Sequence, residues 1–206
     1  MSNRANQAAF EEFVTGPLVR LVGTPLHSVE YYALDCVPDF DANHLTESGG
    51  CQGVHLTFDG GEVEVDWANV PDLRDPEGDI AYHLMVRHLL EGQASEILHG
   101  RTPVDATEVL PWKTVIGEAL RSVTVHGFLQ RFIRKEDRSI PQAVEFTFSS
   151  ARIFVIFGMT GTTLSLGSGN EILVFSAEEW AGLQPDDFFA GGWPVPLWQS
   201  GSAGTQ

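Results

Sequence analysis

The sequence predicts an α+β protein, predominantly antiparallel β, made by internal duplication of two homologous β-rich halves with short helices. Three observations predict it. Two short blocks recur in the same order, apolar and polar residues alternate at the period of strands, and glycine and proline punctuate the segments between. The 206-residue chain holds 21 glycines and 11 prolines, a composition that suits a turn-rich globule better than a disordered tail.

The repeat is read directly from the residues. "GTPLHSV" from Gly23 and "GEALRSV" from Gly117 share Gly, Leu, Ser and Val; "QGVHLTF" from Gln52 and "QAVEFTF" from Gln142 share Gln, Val, Thr and Phe. Chance pairing gives roughly one identity in fourteen positions. A fainter match sets "GDIAYHL" from Gly78 against "GNEILVF" from Gly169. The offsets are 94, 90 and 91 residues, so the unit is about ninety residues long and present twice, which is not a solenoid.

Taken in order, residues 1–20 form an N-terminal helical segment with a helix over 5–14. Residues 21–100 are the first β-rich repeat. Within it, Val54, Leu56 and Phe58 share one face; after the Asp59-Gly60-Gly61 turn Val63, Val65 and Trp67 share a face, and Glu62, Glu64 and Asp66 point oppositely. That pattern is a hairpin with one wet side. "DIAYHLMVR" fits helix and strand, and its match to "NEILVF" favours strand. A helix or irregular linker is expected over about 87–112, with 101–114 as the linker proper. The second repeat spans 115–182. Its run from Ile153 to Phe157 is continuously apolar, as in a strand covered on both faces. After Ser176, "SAEEW" has an N-cap and Glu179 at the capping-box position. The aromatic, proline- and glycine-rich tail, 183–206, is expected to dock through Phe188, Phe189, Trp193 and Trp198.

Net charge is −16. Residues 1–100 carry −13 of it and residues 101–206 carry −3. Such a field repels nucleic acid and steers basic proteins or cations inward. No run of about 18 apolar residues suggests a membrane span and the opening lacks a signal-peptide core, so a cytoplasmic location is expected. Cys36 and Cys51 lack CxxC spacing and are read as reduced thiols.

Chemical signatures are sparse. The seven histidines, His27, His44, His55, His83, His88, His99 and His126, include no HExxH or HxH spacing, so no metal is assigned. "DFDANHLTE" begins like a calcium loop but has His44 and Gly50 where Gly and Glu are required. There is no GxSxG elbow, Walker loop or GxGxxG. No cofactor and no catalytic residue are therefore assigned. What remains is an acidic surface: Glu62, Glu64 and Asp66 beside Trp67, extended by Asp72 and Asp75, chosen as the partner-binding residues for a basic protein. "RFIRKEDR" from Arg131 is basic where the first repeat has "DCVPDFDANHLTE", and this opposite sign allows a homo-oligomer.

The blocks "GTPLHSV...GVHLTFDGGEVEVDW" and "GEALRSV...AVEFTFSS" resemble the G-x-x-L-x-x-V, V-x-L-x-F-x-x-G pattern of small β-rich bacterial proteins of unknown function, some of which resemble toxin-immunity proteins. The resemblance implies a noncatalytic, immunity-like protein-binding module and supplies no catalytic residue. Two alternatives stand beside it: a small hydrolase or isomerase with histidines and carboxylates in the cleft between the halves, and a structural homo-oligomer.

Overall fold

Gly23 and Gly117 take backbone φ values of 90° and 81°, a region that a side chain disfavours. Each ends a short helical turn. Helix α1 (Gly16–Val19) precedes Gly23, and a 3-10 turn (Trp112–Thr114) precedes Gly117. The two turns are built alike: Leu21 N–H donates to Leu18 O and Thr24 N–H to Leu21 O, as Val115 N–H donates to Trp112 O and Glu118 N–H to Val115 O. They then pair with each other. Gly23 N–H donates to Leu120 O and Gly117 N–H to Leu26 O, both at 2.8 Å, around an antiparallel bridge between Pro25 and Ala119. These reciprocal bonds form a local two-fold relation between the halves.

The structure, a computed structural model, describes residues 16–34, 51–74, 80–89, 101–131, 137–159, 170–182 and 195–200. The helix expected over 5–14 lies outside them. Beyond the first turn, β1 (Leu26–Leu34), β2 (Val54–Phe58), β3 (Gly61–Arg74), β4 (Ile80–Leu89) and β5 (Arg101–Asp105) form one antiparallel sheet in the order β4-β3-β2-β1-β5. The second sheet comprises β6 (Ser122–Arg131), β7 (Asp137–Thr147), β8 (Arg152–Met159), β9 (Asn170–Ser176) and β10 (Val195–Ser200), in the order β10-β6-β7-β8-β9. Both are four-strand meanders whose fifth strand returns to pair with the first.

The registers correspond residue by residue. Val29, Leu56 and Val63 stand in a row, as do Val123, Phe146 and Ile153; Tyr31, Val54, Val65 and Val86 match Val125, Val144, Val155 and Val174. The fourth strands therefore correspond at an offset of 88, and the expected alignment of Gly78 with Gly169 is three residues out of register. Two further expectations change. Residues 101–105 are a paired edge strand instead of linker, and residues 195–200, within the expected tail, are the edge strand β10. Both strands contain proline, which edge strands tolerate because one side of the backbone needs no partner.

One apolar core lies between the sheets. Val29, Tyr31, Val54, Leu56, Val63, Val65, Leu84 and Val86 meet Val123, Val125, Val144, Phe146, Ile153, Val155, Ile172 and Val174, all buried. Leu18 and Trp112, equivalent in the two lead-in turns, are both fully buried against it. Trp112 Nε1–H donates to the Tyr31 hydroxyl at 2.7 Å, and its ring meets Phe146 edge-on.

The outer face of the second sheet is also apolar. Ala143, Phe154, Ile156, Leu173 and Phe175 are buried beneath α2 (Ala177–Gly182), whose Trp180 stacks on Phe154 at 4.8 Å. The expected capping box starts this helix: Ser176 N–H donates to Glu179 Oε2, and Glu179 N–H to Ser176 Oγ. The continuous apolar run of β8 thus serves two cores, Ile153 and Val155 inward, Phe154 and Ile156 outward.

Candidate binding surface

Strand alternation sends Glu30, His55, Glu64 and Arg87 to the face of the first sheet that lies away from the core. Register then aligns them. Asp105, Glu30, His55, Glu64 and Arg87 stand opposite one another across β5, β1, β2, β3 and β4, a row of ionisable residues spanning the sheet. The equivalent row of the second sheet reads Gln199, Thr124, Glu145, Phe154 and Phe175. One sheet turns charge outward where the other turns mostly uncharged side chains.

His55 is the centre of the row. Its Nδ1 lies 3.2 Å from Glu30 Oε2, and its Nε2 lies 3.3 Å from Glu62 Oε2 without hydrogen-bond alignment. A neutral imidazole can donate to only one of these carboxylates. The ring is mostly covered, whereas the Glu30 and Glu62 side chains are 43% and 48% exposed. Tyr32 stacks on His55 with centroids 6.3 Å apart, and its hydroxyl donates to Glu64 Oε1 at 3.0 Å. Glu64 is fully buried, and its Oε2 has no hydrogen-bond partner among the described residues.

Asp66, two residues along β3, accepts from Trp67 N–H at 2.6 Å and faces Arg87 and Arg101 at 3.4 and 3.7 Å. Burial raises its pKa despite the Trp67 bond and the two guanidiniums, which pull the other way. Both arginines therefore serve Asp66. Among the described residues no lysine or arginine pairs with Glu30, Glu62 or Asp105.

The acidic row expected from alternation is thus corrected in part. Glu62 is exposed, but Glu64 and Asp66 are buried, at 0% and 4% exposure. Trp67 packs from the inner face against the core. Asp72 lies in β3 with its side chain outside the described residues, and Asp75 lies outside them altogether. His55 and His126 occupy the outer faces of different sheets, and the space between the sheets is apolar, so these histidines do not meet in a cleft between the halves. His27 contacts Asp59 at the surface, and His88 borders Gly61. His44 and His99 are outside the described residues, as is the side chain of His83. No group of His, Cys, Asp or Glu among the described residues is arranged to hold a metal. Cys51 is a buried thiol facing Ile172 O, while its backbone bridges the two sheets at Ile172.

On the second sheet, the residue equivalent to His55 is Glu145. Its Oε2 meets His126 Nε2 at 2.9 Å and its Oε1 accepts from Arg152 at 3.1 Å. The His126 bond, aided by Arg152, holds its carboxyl below the usual range against desolvation. A carboxylate more acidic folded than unfolded adds stability that is present above its unfolded pKa and lost as pH falls through the folded one. Glu145→Gln is accordingly expected to cost roughly 1–3 kcal/mol at neutral pH and to make the acid limb of a urea-unfolding profile shallower. An unchanged limb would show that the carboxylate is not coupled to folding.

Comparison with known proteins gives no relative. No protein-family model, curated protein or solved structure matches the chain. Among the described residues no helix is long and apolar enough to cross a membrane.

Proposed function

We propose that this chain is a noncatalytic protein-binding module whose first half presents an acidic face to a basic protein partner. The observation that supports it is the crowding of carboxylates around His55 without a lysine or arginine among the described residues to pair Glu30, Glu62 or Asp105. Asp105 and Glu30 stand directly opposite each other on neighbouring strands, an arrangement of like charges that weakens a sheet. A cationic partner relieves that repulsion on binding. The face is centred on Glu30, Glu62 and Asp105, with Glu64 and Asp66 behind its rim.

We infer that the two sheets descend from one duplicated unit, a reading favoured by the paired glycine turns and matching registers, and that the copies diverged on their outer faces, one closed by its own helix and one kept charged. The immunity-like resemblance and a cytoplasmic location belong to the same proposal, with a basic toxin as one partner of the right chemistry.

Affinity capture from the source cell tests it. The bait is the wild type, a Glu30→Thr/Glu62→Arg variant carrying the equivalent residues of the second sheet, and a Glu178→Arg control on exposed α2. The expected result is a basic protein retained by wild type and control and lost by the double variant. Identical partners on all three baits would remove this face from the binding surface.

A further inference from the structure

We infer, resting on the reading above, that the Glu30–His55–Glu62 cluster recognises the guanidinium of an arginine side chain presented by the basic partner. Two independent features carry this. The first is the shape of the cluster, two half-exposed carboxylates on either side of a mostly covered ring. The His55 imidazole already spans the two carboxylates, 3.2 and 3.3 Å away, and a guanidinium is a planar group of comparable width with donors at both ends. From the half-exposed side of the two carboxylates it can donate to Glu30 at one end and Glu62 at the other through charge-assisted bonds.

The second feature is Glu64. It stands next to His55 in the same row and reaches the hydroxyl of the stacked Tyr32 with Oε1, and its wholly buried Oε2 lacks a partner among the described residues. Buried carboxylates are ordinarily paired with a cation or fully hydrogen-bonded. Arg87, its cross-strand neighbour, is turned to Asp66. The row therefore holds a buried carboxylate oxygen with no cation of its own among the described residues, and its solvent-facing side is formed by the half-exposed Glu30 and Glu62 beside His55. Lysine supplies the charge but neither the fork nor the flat face, and its ammonium is more strongly hydrated.

The test is a titration of the intact chain, at low salt to limit screening, with amidated hexa-arginine, hexa-lysine and hexa-citrulline peptides, followed by NMR of the His55 ring protons. Hexa-arginine is expected to saturate with shifts centred on His55, to bind severalfold more tightly than hexa-lysine, and to lose about tenfold in affinity in Glu30→Gln/Glu62→Gln. Hexa-citrulline, which keeps the shape without the charge, is expected not to bind. Equal binding of arginine and lysine peptides at His55 would overturn the arginine assignment and leave the acidic face standing. Shifts confined elsewhere, or arginine binding untouched by the double variant with its folded spectrum intact, would overturn both.

Discussion

Asp66→Ala is expected to lower the stability of the fold by about 3 kcal/mol, because it strands two partly covered guanidiniums and deletes a backbone acceptor together. Asp66 is the only carboxylate that Arg87 and Arg101 approach among the described residues, and its Oδ1 accepts from Trp67 N–H. Asp66→Asn keeps that acceptor and should cost only about 1 kcal/mol. Burial gives the pair of variants a further signature in pH. Since the folded pKa of Asp66 lies above its unfolded value, the unfolded chain releases this proton first. Its contribution then falls as pH rises from the ordinary carboxylate range through the folded pKa. Asp66→Asn lacks that decline. Urea unfolding at several pH values checks both points; equal, small losses for Ala and Asn would show that the arginines need no partner there.

The second large effect lies in the core. Trp112→Ala is expected to cost about 3–5 kcal/mol, the usual penalty for emptying a large buried site. Trp112 is fully buried, contacts Phe146 and closes one end of the core where Leu18 closes the equivalent end. Its hydrogen bond can be separated from its volume. Trp112→Phe and Tyr31→Phe each orphan one buried polar group, at roughly 1–3 kcal/mol apiece, whereas the double variant removes both groups and should cost less than the sum by about 1 kcal/mol. Burial of Tyr31 also holds its hydroxyl protonated well above the ordinary tyrosine range, against the Trp112 donor, which favours the phenolate. Additive single effects in thermal or urea unfolding would show that the two groups do not act as a pair.

Strand faces were legible in the sequence because alternation is local: Val63, Val65 and Trp67 against Glu62, Glu64 and Asp66 needs no knowledge of neighbours. Alternation says which way a side chain points and nothing of what covers it, which is why Glu64 and Asp66 read as wet and are buried. The edge strands β5 and β10 were hidden for a different reason. Each is short, contains proline and lies partly exposed, so neither shows the period of a strand with one dry face. The candidate site was less legible still. Asp105, Glu30, His55, Glu64 and Arg87 come from five strands, and only register brings them into one row. The core role of Trp112 does carry a sequence signal: the repeat extends upstream, "PLVRLVGTPL" from Pro17 matching "PWKTVIGEAL" from Pro111 in Pro, Gly and Leu, and that longer block sets Trp112 against Leu18.

The outer faces of two otherwise matching sheets differ in a way that bears on the trade between stability and function. Residues kept for binding commonly lower the stability of the protein that carries them. Glu30 and Glu62 are equivalent in register to Thr124 and Arg152, so the second sheet supplies the natural replacements for testing that trade.

Equilibrium urea unfolding of Glu30→Thr/Glu62→Arg is the most direct test that the acidic rim is retained for a partner. If the carboxylates are there to bind, their removal leaves the stability unchanged or raises it by up to about 1 kcal/mol, as relief of like-charge crowding allows. A loss of more than about 1 kcal/mol would mean that Glu30 and Glu62 hold the sheet together around His55 and would contradict the account.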